Sequence, residues 1–200
     1  MKNADEIICE DTRRTIILLN HYEIKKPLTS LNDFNEVKVV PEIINKLQSG
    51  KIICLVSDAG TPLISDPGYK LVREALAAGL EVDSLPGPSA VTDALTLSSL
   101  PPDKFIFLGY PPDKPGHRKD LYQKIKTISE TLPITFILFS APFKLKKTLE
   151  EMKENLGDID LTLAKELTKM HQKVESKKIS DWLDEFKTQP KGEYVMLFRV

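Results

Sequence analysis

No apolar run in this chain is long enough to cross a membrane; the longest candidate, Ile134 to Leu138, has the length of a buried strand. The opening residues, Met1 to Glu6, lack the apolar stretch of a signal peptide. Cysteine is scarce. Cys9 and Cys54 stand inside apolar, strand-like runs, with no metal-ligand spacing and no near partner. That excludes a disulfide scaffold and reads as two buried, reduced thiols in a cytoplasmic protein. The three histidines, His21, His117 and His171, are scattered on segments without metal spacing, so no metal site is expected. No Gly-x-Gly-x-x-Gly and no Gly-Lys-Ser/Thr ending is present, which argues against a phosphate cradle. No Gly-x-Ser-x-Gly is present either, which argues against a hydrolase elbow.

What is present is an ordinary globular composition, 41% hydrophobic and 28% charged. A net charge of −1 excludes a wholesale nucleic-acid coat. The charge is uneven, however: residues 1–108 carry 11 Lys+Arg against 15 Asp+Glu, and residues 109–200 carry 17 against 14. If RNA binds, the second half is the platform.

Strand-like and helix-like segments alternate. Apolar runs at Glu6–Cys9, Lys51–Val56, Glu81–Leu85 and Lys104–Leu108 read as strands. Thr12–His21, Pro41–Gln48, Gly68–Ala78 and Ser89–Leu97 read as helices. Three prolines and two glycines within Gly109–Gly116 mark a linker. Beyond it, helices are expected at His117–Glu130, Pro142–Asn155 and Ile179–Phe186. Strands are expected at Ile134–Phe139, Leu161–Ala164, Lys173–Ser176 and Tyr194–Val200. The rhythm predicts an α/β fold of two lobes: residues 1–109, a linker at 110–116, and residues 117–200.

In open α/β sheets, ligands bind beyond the carboxyl ends of strands. Two turns leave such ends here. Ser57-Asp58-Ala59-Gly60-Thr61-Pro62 and its continuation to Gly68 offer small residues for close backbone approach, together with hydroxyls and carboxylates. Leu85-Pro86-Gly87-Pro88-Ser89-Ala90 opens a helix whose first amides suit a polar ligand. Each turn alone is ordinary turn chemistry; the pair on successive strands points to a shared pocket.

Several blocks, in order along nearly the whole chain, carry a resemblance. They are Cys9-Glu10-Asp11-Thr12-Arg13, Ser57–Pro62 with Ser65-Asp66-Pro67-Gly68, Leu85–Ala90, Phe107–Tyr110, Glu166-Leu167-Thr168-Lys169 and Lys191–Val195. Together they resemble the ribosomal RNA small-subunit methyltransferase I family of the tetrapyrrole-methylase superfamily. The resemblance implies two α/β domains with a cofactor cleft, S-adenosylmethionine as methyl donor, and a homodimer. It also implies a cytidine 2′-hydroxyl of small-subunit RNA as acceptor.

Matched by motif, Asp58, Ala59, Gly60, Thr61, Ile64, Ser89, Ala90, Ser140 and Leu167 are the expected cofactor contacts. The catalytic candidates near strand ends are Asp11, Asp58, Lys165 and Glu166, with a structural cap and ion pair as the alternative for Asp11 and Arg13. Arg13, Lys114, His117, Arg118, Lys119, Lys144 and Lys169 are the candidate RNA contacts.

The chain departs from the family in two places. The family's opening strand, its Thr-Pro-Ile-Gly-Asn-like loop and most of its first helix are absent before Met1. Phe139-Ser140-Ala141-Pro142-Phe143-Lys144 replaces the usual Tyr-Glu-Ser/Ala-Pro-His-Arg. Two competing readings follow: a small-molecule methylase acting on a tetrapyrrole-like carbon acid, and a non-catalytic remnant that holds RNA.

Overall fold

The computed structural model describes residues 1–200 and divides into two compact units, Met1–Pro88 and Ser89–Val200. The first unit is built on a three-stranded, all-parallel sheet in the order β2-β1-β3, from β1 (Glu6–Cys9), β2 (Leu28–Ser30) and β3 (Ile53–Val56). Strand β1 is central and buried throughout, which is why its sequence is continuously apolar after Glu6. Ile8 packs against Val40 and Ile43 of α2 (Glu36–Gln48) and Leu71 of α3 (Tyr69–Ala77). Ile7, on the opposite face, packs against Leu19 of α1 (Thr12–His21) and Ile24. The one buried acid of β1, Glu6, accepts two bonds from Lys46 Nζ at 2.8 Å and one from Thr29 Oγ1, so its charge is compensated.

Gly68, directly before α3, has φ +122°, and a Cβ there would stand 2.7 Å from Leu55 Cδ2. Both the left-handed backbone and the close approach to β3 exclude a side chain. Gly68→Ala is expected to cost about 1–3 kcal/mol, read as a lowered denaturant midpoint at unchanged slope.

The second unit carries a five-stranded sheet in the order β4-β5-β8-β6-β7. Its strands are β4 (Phe105–Phe107), β5 (Thr135–Ser140), β6 (Asp160–Lys165), β7 (Lys173–Lys178) and β8 (Tyr194–Phe198). Only β4 and β5 are parallel; the other pairings are antiparallel. One face carries the main core. Phe136, Leu138, Leu163 and Met196 meet α5 (Pro115–Thr131), α6 (Pro142–Leu156) and α7 (Ile179–Glu185) through Tyr122, Leu149 and Trp182. On the other face, Ile137, Ala164, Val195 and Leu197 meet Val91, Ala94 and Leu95 of α4 (Ala90–Leu97).

The second sheet is mixed, because β8 inserts antiparallel between β5 and β6. Two features differ from the sequence reading. Glu81–Leu85 forms no strand: it has no pairing partner, and Leu85 is 85% exposed. The compact units divide at Pro88–Ser89 rather than at residues 110–116, because α4 packs on the second sheet and β4 pairs with β5.

Candidate functional site

In the first unit, Cys9 of β1 lies in register with Val56 of β3, so Glu10-Asp11 and Ser57-Asp58 leave the sheet side by side at its carboxyl edge. The Ser57–Gly68 turn is tightly folded. Gly60, Leu63, Ser65 and Gly68 all have positive φ, two of them with side chains. Strain of this kind persists where the surroundings over-determine it, and it concentrates at ligand sites. Ser57 Oγ donates to the carbonyls of Ala59 and Gly60, at 3.2 and 3.3 Å. Thr61 Oγ1 donates to the carbonyl of Pro88 at 2.9 Å. That bond ties the first of the two punctuated turns to the second. Ala59, Gly60 and Ile64 are exposed, and a Cβ on Gly60 would meet nothing within 4 Å.

Asp58 sits where these segments meet. Its Oδ2 is 3.4 Å from Arg14 Nη1, while its Oδ1 is buried without a hydrogen-bond partner. A buried carboxylate oxygen lacking a donor is costly in an unliganded fold. Glu10, which sequence reasoning missed, shares this environment. Burial raises its pKa, and the charges of Asp58, Asp66 and Asp33 add to the effect. Burial and Asp58 raise Asp66 as well. The signal for Glu10 was its place at the end of β1, overlooked beside the more conspicuous Asp11.

Asp11 itself is the helix cap. Its Oδ1 accepts from the Arg13 amide at 2.9 Å, and the Arg13 guanidinium forks onto both carboxylate oxygens. Those bonds hold its pKa to about 2. A carboxylate so acidic is a poor proton acceptor near neutral pH. The cap accounts for Asp11, while the Arg13 fork uses Nε and Nη2 of a largely exposed side chain. Asp11→Ala is expected to lower the melting temperature while kcat stays within about threefold of wild type; a base would lose about 10²-fold or more.

In the second unit, Ser89 caps α4 with extended backbone, and its side chain makes no capping bond. Ala90 and Leu167 both pack against the apolar cluster on the α4 face of the sheet. Ser140 ends β5, is buried, and donates weakly to the carbonyl of Ala141 at 3.3 Å. Ser140 and Lys165 flank Tyr194 in register. The Lys165 ammonium lies 5.8 Å from the Tyr194 ring and borders a cavity of about 130 Å³ with Trp182 and Phe186.

Glu166 and Lys169 form a clamp rather than a free acid and a free cation. Glu166 Oε1 accepts from the Glu193 amide at 2.8 Å and from Lys169 Nζ at 3.2 Å; Lys169 also reaches Glu193 at 2.8 Å. The Glu193 amide bond comes first among the causes that keep Glu166 acidic. Glu166 and Thr168 have φ of 50° and 64°, so the clamp holds Leu167 in a strained turn. A Cβ on Gly192 would stand 2.9 Å from Glu166 Cγ, and Gly192 itself has φ +99°. Gly192→Ala is expected to loosen this turn, seen as faster amide exchange at Glu166 and Glu193 while the core strands keep their protection.

The expected RNA contact Arg118 is corrected. Its side chain is 11% exposed and is bonded to Glu151 and to the carbonyls of Pro112 and Asp113. Four of its five guanidinium hydrogens are directed to these partners, which anchors the side chain against Glu151 instead of presenting it to phosphate. Lys114, Lys119 and Lys144 are exposed, Lys144 pairing with Asp113.

Parallel strands, a strained turn at their carboxyl edge and an orphaned acceptor agree with the family model that matches residues 1–182, that of the tetrapyrrole (corrin/porphyrin) methylases. The chain is therefore a methyltransferase of that class. A crystal structure of the methyltransferase CobJ shares the fold, with a TM-score of 0.69 at 16% identity over 98% of this chain and 84% of that one. Proteins named ribosomal RNA small subunit methyltransferase I match across nearly the whole chain. The Thermotoga maritima protein is 42% identical over 98% of this chain and 87% of its own length. The Mycoplasmopsis pulmonis protein is 39% identical over 99% and 87%, and that of Escherichia coli O157:H7 is 39% identical over 98% and 69%. The chain belongs to the ribosomal RNA small subunit methyltransferase I family.

Proposed function

We propose that the chain transfers a methyl group from S-adenosylmethionine to the 2′-hydroxyl of a cytidine in small-subunit ribosomal RNA, acting as a cytoplasmic homodimer. No helix is long and apolar enough to cross a membrane. The observation that carries the proposal is the turn pinned by Thr61 to Pro88, with the buried, donorless oxygen of Asp58 beside it.

The residues fit such a nucleoside. Asp58 Oδ1 accepts a hydroxyl or ammonium hydrogen, and the bare backbone of Ala59-Gly60 admits close approach. S-adenosylmethionine brings a methyl group already activated on sulfur, so positioning supplies much of the rate.

The ribose hydroxyl must lose its proton as it is methylated. Asp11 is a cap, Glu166 a clamp, and Asp58 is assigned to the methyl donor; among the acids at the carboxyl edge of the first sheet we take Glu10 as the acceptor, a carboxylate whose proton affinity is raised by burial and by its acidic neighbours. Lys114, Lys119 and Lys144 hold phosphates without reading sequence.

The test is incubation with isotopically labelled S-adenosylmethionine and small subunits that lack the modification, followed by digestion to nucleosides. Labelled 2′-O-methylcytidine is the expected product. Labelling of a base or of a tetrapyrrole, but not of ribose, defeats the proposal.

A further inference from the structure

The second unit presents two aromatic rings to solvent beside its lysines, and the methyl-transfer site does not use them. Tyr110 is 56% exposed and Phe143 is 65% exposed. Tyr110 lies just beyond the end of β4, after Leu108 and Gly109, and Phe143 lies in the first turn of α6, shortly after β5; these two strands are parallel neighbours. Both rings therefore sit at one end of the sheet, where the bond from Lys144 to Asp113 joins the two segments.

Tyr110 is backed by Phe139 at 5.5 Å between ring centres, and Phe139 by Phe107 at 4.7 Å, both edge to face. Pro111, Pro112 and Pro115 stiffen the segment that carries it. Phe143 carries the Lys144 ammonium 5.5 Å from its ring centre. Lys114, Lys119, Lys146 and Lys147 lie exposed on the same segments. A lone exposed ring needs no explanation. Two exposed rings among lysines, one of them backed by Phe139, have the composition of a surface on which bases stack while cations follow the backbone.

We propose that Tyr110 and Phe143 form a stacking platform for unpaired bases of the RNA substrate. This rests on the RNA-methylation reading and adds to it a binding site for single-stranded RNA. Pairing hides base faces inside a duplex, so the platform selects single strands.

The experiment titrates the full chain with a cytidine-rich single-stranded RNA 12-mer carrying 2-aminopurine, over a series of salt concentrations. Tyr110→Ala and Phe143→Ala are each expected to weaken binding roughly tenfold. The double variant is expected to lose the 2-aminopurine quenching while its salt slope is unchanged. Phe143→Trp restores binding. Lys114→Ala, in contrast, lowers the salt slope by about 1. With small subunits as substrate, the double variant raises KM at unchanged kcat.

A double variant that binds the 12-mer as wild type does overturns the platform; that is also the outcome if the rings serve a protein partner. Wild-type preference for duplex over single-stranded RNA overturns it too. A wild-type chain that binds S-adenosylmethionine but no RNA overturns both the platform and the RNA reading, and so separates the two failures.

Discussion

Glu10→Gln is expected to lower kcat for methyl transfer by about 10²–10⁴-fold, the range general-base catalysis supplies. Affinity for the methyl donor is expected to change little, because the amide keeps the shape of the carboxylate. The pH dependence makes the test specific. Burial first, and the charges of Asp58, Asp66 and Asp33 after it, raise the Glu10 pKa, while Arg14 opposes the shift. The working base is the deprotonated form. Wild-type kcat therefore rises with pH through a value raised above that of an ordinary glutamate and levels off beyond it. The glutamine variant loses that acid limb. A variant whose kcat is reduced but whose acid limb is intact would assign the limb to another group, and Asp66, raised in the same way, is next in line.

Arg118→Met is expected to destabilise the second unit by about 3 kcal/mol. The side chain makes four hydrogen bonds, two to Glu151 and one each to the carbonyls of Pro112 and Asp113. Removing one partner of a largely buried ion pair leaves the other charge uncompensated, which costs more than the pair contributes. For a chain of this length, the loss corresponds to a melting temperature lower by about 6–12 °C. The replacement Arg118→Met with Glu151→Leu is expected to recover most of it, since no isolated charge then remains.

The sign of the pH effect follows from Glu151. The Arg118 bonds hold its carboxyl below its usual value. The stabilisation is fully present above the ordinary carboxylate range and is lost as pH falls through the lowered folded-state value. Arg118→Met lacks that acid sensitivity, so the melting curves of the two chains converge on acidification. Were the curves to stay parallel at all pH values, the ion pair would not be the source of the loss.

Much of this architecture was legible where local chemistry and packing agree. Asp11 at the start of α1 and the apolar stretch Thr135–Ser140 mark elements that the structure places within a residue of where the sequence does. The turns at Asp58 and Pro88 were identified by their prolines and glycines, and the Thr61–Pro88 bond joins them.

The failures have physical causes. Helix α2 begins at Glu36, a turn ahead of the sequence reading, because Pro41 was taken for a start and instead lies inside the helix. Strand β2 has three residues, too few for alternation to register; it exists because Leu28–Ser30 pairs with Ile7–Cys9. Glu81–Leu85 fails in the opposite sense: it has the composition of a strand but no neighbour, and a strand is a property of a pair. The site was harder still. Asp11, Arg13, Arg118, Glu166 and Lys169 all have the right chemical types. What separates a base from a cap, or a phosphate grip from a clamp, is the partner each one meets across the fold. Arg118 meets Glu151, and Glu166 meets Glu193. Sequence spacing does not encode those meetings.

Calorimetric titration of S-adenosylmethionine into the folded chain and into Asp58→Asn reaches the centre of the account, since every functional assignment assumes that the Asp58–Pro62 turn holds the methyl donor. One site per chain is expected for the wild type, with binding weakened about 10- to 100-fold in the variant, as for the loss of a charged acceptor. A wild-type chain that is folded by circular dichroism and releases no binding heat at any temperature tested, or a variant that binds as tightly as wild type, contradicts it.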